Sequence, residues 1–224
     1  MVNEQTLNLL SAAAEWRLIS LLLACPRGDW RPQIAALADE VRDEPLRRAA
    51  AAMALEASEG LYHTTFGPGG PAAPREVSHR EYVVPGQSLA ELLAYYEVFA
   101  FHSAIDEPPD HVAVEVDFMA YLCVKQAYAV SRGDQEQSDV AADAARRFVD
   151  DHLASIAEPL AKSLAGSGIA YLRLAADSLL RRVGPPRYVV PATGSALPVL
   201  LPDESSFACD AAIADDRLPG KPSR

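Results

Sequence analysis

The chain has 224 residues, of which 31 are acidic and 20 basic, so its formal net charge is −11. This length suits one domain of ordinary size, alone or with a tail. The excess of acidic residues argues against nucleic-acid binding, which requires clustered lysine and arginine, and against docking on an anionic membrane surface.

The cysteines and the N-terminus indicate a cellular compartment. Three widely spaced cysteines with no CxxC pair argue against a zinc or iron–sulfur site and predict free thiols in a reducing environment. The N-terminus has no basic region, and Glu15 and Arg17 interrupt the apolar stretch that follows. We therefore predict no signal peptide, no membrane span and a cytoplasmic location.

Apolar residues recur at helical spacing through most of the chain. The predicted helices cover residues 6–24, 32–41, 44–60, 88–102, 110–131, 135–152, 155–164 and 169–183. Ser88 is predicted to open one of them through a capping box, and Asp110 is predicted to be the N-cap of another.

Two segments lack the helical pattern. Residues 61–87 are rich in glycine and proline and are predicted to form a long functional or mobile loop. Residues 185–224 contain seven of the 17 prolines and are predicted to form an extended or partly disordered tail. The sequence thus predicts an all-α fold, with a single bundle of about seven or eight helices over residues 1–184.

Motifs for catalysis are absent from the sequence. It contains no HExxH, no phosphate loop and no GxSxG. His111 and Glu115 have the i, i+4 spacing of two metal ligands, but no third ligand is evident, so a metal-dependent hydrolase is the weakest hypothesis. We predict a protein that is not an enzyme and has no metal or cofactor of its own.

The acidic segment, residues 106–117, concentrates negative charge around the start of one predicted helix. Its carboxylates are Asp106, Glu107, Asp110, Glu115 and Asp117. Capping and the helix dipole explain Asp110 and Glu107, whereas Glu115 and Asp117 lie among apolar residues and are explained less well. Structural capping and binding of a cationic partner are equally good interpretations of these residues alone.

Residues 107–122, EPPDHVAVEVDFMAYL, resemble the signature of the TorD/DmsD/NarJ family of all-helical maturation chaperones for molybdenum enzymes. The aromatic segment 61–66 before a proline-rich loop and the Phe-x-x-x-His-Leu of residues 148–153 also resemble that family. The likeness extends over about residues 5–183.

The resemblance implies a cytoplasmic chaperone that binds the catalytic subunit of a molybdopterin-dependent oxidoreductase until the subunit has received its cofactor. Many such chaperones bind the client's N-terminal twin-arginine signal peptide, whereas the NarJ branch serves clients that are not exported. The expected peptide site contains Asp110 and His111, with Glu115 facing the same cleft and Tyr62 and Phe66 on its apolar wall. The family includes monomers and domain-swapped dimers, and a generic helical adaptor for basic peptides is the alternative class.

Overall fold

A computed structural model of the chain describes residues 3–80 and 85–184. These residues form nine α-helices: α1 (Glu4–Leu23), α2 (Trp30–Glu40), α3 (Glu44–Glu56), α4 (Glu59–Phe66), α5 (Pro85–Val98), α6 (Val112–Arg132), α7 (Gln135–Phe148), α8 (Ala154–Ala165) and α9 (Ala170–Val183). They also include a 3-10 turn at Glu76–Ser78 and a π-helical turn at Val149–Leu153. The predicted all-α class is confirmed. The predicted tail lies outside the described residues and stays a prediction.

Side-chain caps fix the start of several helices. Asn3, Asp43, Ser58 and Asp134 each accept a hydrogen bond from the backbone N–H three residues later, at 2.7, 3.1, 3.2 and 3.0 Å. Such caps satisfy N–H groups that have no partner inside the helix. At its other end α6 stops at Gly133, whose φ of 71° is left-handed and suits glycine.

Helix α6 occupies the centre of the bundle. Its residues 112–120 are all buried, so its first half contacts other elements on every side. Helix α1 packs along it: the Ser20 hydroxyl donates to the Ala113 carbonyl at 2.9 Å, and Arg17 forms an ion pair with Asp117. By length and composition α1 could cross a membrane; in this fold Leu18, Ile19, Leu22 and Leu23 of α1 are buried in the core.

An aromatic cluster fills the core beside α6. The fully buried ring of Phe118 lies 5.0 Å from Tyr96, 5.2 Å from Phe101 and 4.8 Å from Phe148, measured between ring centroids. These tilted and edge-on arrangements are the ones that aromatic rings favour. The cluster joins α5, α6 and α7 into one core.

The predicted loop over residues 61–87 begins too early. Residues 59–66 form α4, because Ser58 caps a new helix and Tyr62 and Phe66, one turn apart, both face the interior. The helix predicted over residues 44–60 accordingly ends at Glu56. The glycines and prolines that dominate the segment had obscured this short helix.

Other boundaries differ from the prediction for local reasons. Helix α5 begins at Pro85, so Ser88 lies inside the helix, and it ends at Val98. Ala100 follows with a φ of 52°, which cannot continue a right-handed helix. The helices predicted over 135–152 and 155–164 are joined by the π-helical turn, a wider turn that connects α7 directly to α8.

Candidate functional site

Three of the five predicted site residues line one cavity. This space of about 460 Å³, the loop cavity, lies between α4, the loop of residues 67–75 and the start of α6. Tyr62, Phe66 and His111 are on its wall, together with Glu107 and Arg75. The site is therefore assembled from segments up to 49 residues apart in sequence.

The loop of residues 67–75 is held close to α4 and to the start of α6. A Cβ atom on Gly70 would lie 2.3 Å from the Thr65 carbonyl oxygen, so this contact with α4 requires glycine. Further on, an isolated antiparallel bridge joins Arg75 to His111. The Val112 N–H donates to the Pro74 carbonyl at 2.8 Å, and this pairing places the Arg75 side chain beside the start of α6.

His111, not Asp110, is the N-cap of α6. Its Nδ1 accepts the Ala113 N–H at 3.1 Å, so the ring hydrogen of the neutral imidazole is on Nε2. Nε2 lies 2.8 Å from the Tyr62 hydroxyl oxygen, and that hydroxyl donates to Glu107 Oε1 at 3.1 Å. His111, Tyr62 and Glu107 thus form a chain of hydrogen bonds along the cavity wall.

The protonation of His111 gives a pH-dependent prediction. Its pKa is lowered from 6.5 to about 4, chiefly by burial and also by the Arg75 charge, against the opposing effect of Asp110. Because the unfolded chain binds this proton more readily, stability is retained above pH 6.5 and lost as the pH falls towards 4. Relative to a His111→Asn variant, which keeps a capping side chain, the wild type should lose about 2 kcal/mol by pH 5.

Urea unfolding of both proteins at pH 7 and pH 5 measures this difference. The His111→Asn variant has a constant offset from the lost Tyr62 contact, so the change in the difference with pH is the informative quantity. Parallel losses in the two proteins would show that His111 is not the titrating group.

Asp110 is buried and engaged in an ion pair. Its carboxylate receives the Arg75 Nε at 2.9 and 3.1 Å and a second guanidinium nitrogen at 2.7 Å. The Arg75 side chain is 46% exposed, whereas that of Asp110 is 6% exposed. The predicted capping role belongs to His111, and Asp110 instead fixes Arg75 at the edge of the loop cavity.

Glu115 lies deeper, one helical turn beyond His111. It is fully buried, and neither carboxyl oxygen has a hydrogen-bond partner within residues 3–80 and 85–184. Burial raises the pKa of this carboxyl well above its ordinary value, and the nearby carboxylates of Glu76 and Asp110 raise it further against the effect of Arg80. Glu115 therefore lies behind the cavity wall and does not line the loop cavity.

The sequence-based prediction missed Glu76, which is fully buried beside Glu115. Its carboxylate contacts His152 Nδ1 at 3.1 and 3.2 Å and receives the Arg80 guanidinium at 2.6 Å. Its backbone N–H donates to the Asp110 carbonyl at 2.9 Å. Glu76 thus anchors the loop to the core behind the site.

The other carboxylates of the acidic segment contact arginines of the chain itself. Asp106 forms an ion pair with Arg27 at 2.8 Å, and Asp117 pairs with Arg17 and accepts the Ser103 hydroxyl at 3.0 Å. In the part of the chain that the structure describes, no group of three His, Cys, Asp or Glu side chains could hold a metal ion. Both nitrogens of His111 are already engaged in hydrogen bonds.

Comparison with known proteins gives two kinds of match. A sequence model of the family described as nitrate reductase delta subunit matches residues 34–161, more than half of the chain. A selenate reductase assembly chaperone protein from Thauera selenatis is 36% identical over 85 residues, which are 37% of this chain and 43% of that protein. A chlorate reductase assembly chaperone protein from Ideonella dechloratans is 39% identical over 69 residues, 30% of this chain and 35% of its own.

The matched regions therefore span less than half of either relative. Both relatives are named as assembly chaperones and not as enzymes, in agreement with the prediction of a protein without catalytic activity. The family match includes α4, the loop cavity and α6, so it contains all five residues predicted for the site.

Proposed function

Because the chain belongs to the nitrate reductase delta subunit family, we propose that it is a cytoplasmic assembly chaperone for the catalytic subunit of a molybdenum-containing reductase. It binds the N-terminal region of that subunit and holds the subunit for insertion of the molybdenum cofactor. The observation that supports a peptide site most directly is the loop cavity, where the aromatic rings of Tyr62 and Phe66 adjoin the acidic segment.

The chemistry of the cavity suits an N-terminal segment with two arginines followed by apolar residues, as in a twin-arginine signal peptide. An apolar segment gains by burial against Tyr62 and Phe66, and a guanidinium gains from charge-assisted hydrogen bonds to carboxylates. Asp110 fixes Arg75 at the edge of this site, and His111 contacts the Tyr62 hydroxyl on its wall. Glu115 supports the site from the interior, fully buried one helical turn beyond His111.

Peptide titration tests the proposal. The probe is a synthetic peptide with two consecutive arginines followed by an apolar helix-forming stretch, compared by calorimetry with its Arg-Arg→Lys-Lys counterpart. Since lysine cannot reproduce the planar, two-pronged contact of arginine with a carboxylate, the lysine peptide should bind about tenfold more weakly. Equal affinities would exclude twin-arginine recognition and favour the second candidate, a chaperone for a reductase that is not exported.

Affinity capture separates both candidates from a generic adaptor for basic peptides. The full chain, tagged and expressed in its host, should retain the catalytic subunit of a molybdenum reductase as its main partner. An Asp110→Ala variant that still folds should retain less of it, because Arg75 is then no longer fixed at the edge of the cavity. Capture of assorted basic proteins, with no reductase among them, would contradict the chaperone assignment.

A further inference from the structure

The carboxylates of the acidic segment differ in what they contact. Asp106, Asp110 and Asp117 are each paired with an arginine of the chain. Glu115 is fully buried and does not line the loop cavity. Glu107 is the exception, since across residues 3–80 and 85–184 it forms no ion pair with any lysine or arginine.

Within residues 3–80 and 85–184, the side-chain hydrogen bond of the Glu107 carboxylate is to a neutral group. The Tyr62 hydroxyl donates to Oε1 at 3.1 Å, and burial raises the pKa of Tyr62 far above its ordinary value, so this group remains a phenol. Its orientation is set by His111, which contacts the same hydroxyl oxygen at 2.8 Å. The hydrogen bond thus fixes one carboxylate oxygen without cancelling the negative charge, and the second oxygen is left to accept a donor.

Arg27 is close enough to interact electrostatically with Glu107, but its guanidinium bonds Asp106 instead. That pair is exposed, with 45% of the Arg27 side chain and 95% of the Asp106 side chain accessible to solvent. Water therefore screens the attraction between Arg27 and Glu107, and Arg27 forms no direct ion pair with the Glu107 carboxylate.

Glu107 is also where three cavities meet. It lines the loop cavity, a space of about 460 Å³ beside Tyr96 and Phe101, and one of about 220 Å³ beside Trp30. A cationic side chain at Glu107 would therefore have aromatic walls on several sides for the apolar residues that accompany it. An arginine gains further from this setting, because its guanidinium packs favourably against aromatic faces.

We propose that Glu107 is the residue that selects arginine in the client peptide, by accepting the guanidinium on its free carboxylate oxygen. This inference rests on the proposed function, because it presumes that a client peptide enters the loop cavity. It also shifts the arginine contact away from Asp110, which was expected at the peptide site but is already bound to Arg75.

The experiment compares Glu107→Gln with Asp106→Asn, its neighbour in the acidic segment. Both variants remove one negative charge, so long-range electrostatic effects are matched. Each full-length protein is titrated with the Arg-Arg peptide and with an Arg-Arg→Gln-Gln control peptide, and circular dichroism melting confirms folding. Glu107→Gln should weaken binding of the Arg-Arg peptide about 10-fold to 100-fold and leave that of the control peptide unchanged. Asp106→Asn should change either affinity by less than about twofold.

A Glu107→Asp variant provides a further check, because it keeps the charge on a shorter side chain. It should recover part of the preference for arginine, which a purely structural role of Glu107 would not produce. If the wild type prefers the Arg-Arg peptide and Glu107→Gln retains that preference, the assignment to Glu107 is wrong while the proposed function stands. If the wild type binds both peptides equally or neither, the proposed recognition of arginine fails, and the role of Glu107 fails with it.

Discussion

Replacing Glu76 with alanine is expected to lower the free energy of unfolding by about 3–5 kcal/mol, the usual cost of breaking a buried ion pair from one side. The carboxylate is fully buried and has three partners, Arg80, His152 and the Ser155 hydroxyl. Arg80 is 14% exposed, so its charge would remain largely enclosed without its ion-pair partner Glu76. Urea unfolding at pH 7 and 25 °C measures the loss.

Two further variants test whether the lost charge of Glu76 causes the loss of stability. Glu76→Gln keeps a hydrogen-bond acceptor for His152 but not the charge that Arg80 requires, so its loss should be smaller than that of alanine. Glu158→Ala, which removes a surface ion pair with the 74% exposed Lys162, should change stability by less than about 0.5 kcal/mol. A loss of under about 1 kcal/mol for Glu76→Ala would mean that water reaches Arg80 and His152 and takes the place of the carboxylate.

Phe118→Ala is expected to cost about 3–5 kcal/mol through the cavity that it leaves in the aromatic cluster. The ring is fully buried and contacts aromatic residues of α5 and α7 as well as its own helix. Three large rings around it, Tyr96, Phe101 and Phe148, cannot collapse into the space without leaving their packed arrangement. The shift in the urea midpoint at unchanged slope gives the loss.

Tyr128→Ala on the same helix is the matched control. That side chain is 66% exposed, so its removal should change the free energy of unfolding by less than about 0.5 kcal/mol. If Phe118→Ala and Tyr128→Ala had similar effects, the aromatic cluster would not be the core that joins α5, α6 and α7.

Helices could be predicted where apolar spacing and helix-ending residues within a short stretch of sequence define them. The apolar spacing of residues 112–131 and the glycine at residue 133 define α6 from neighbouring residues alone. Helix α4 was missed because it has only eight residues and directly precedes a loop rich in glycine and proline. The π-helical turn was missed for a related reason, since its wider hydrogen-bonding pattern leaves no clear sign in residue spacing.

The sequence predicted which residues lie at the site better than it predicted their contacts. Tyr62, Phe66 and His111 do line one cavity. The partners of the carboxylates are distant in sequence: Asp110 pairs with Arg75, 35 residues away, and Glu76 contacts His152, 76 residues away. No local pattern specifies such pairs.

The packing of α1 against α6 also means that α1 is synthesised well before the helix that it contacts. Ser20 and Ala113, which bond across the two helices, are 93 residues apart. At the usual rates of protein synthesis the ribosome needs about 5–20 s to make that intervening chain. For this period a helix with the composition of a membrane span has been made, but the helix that will bury it has not.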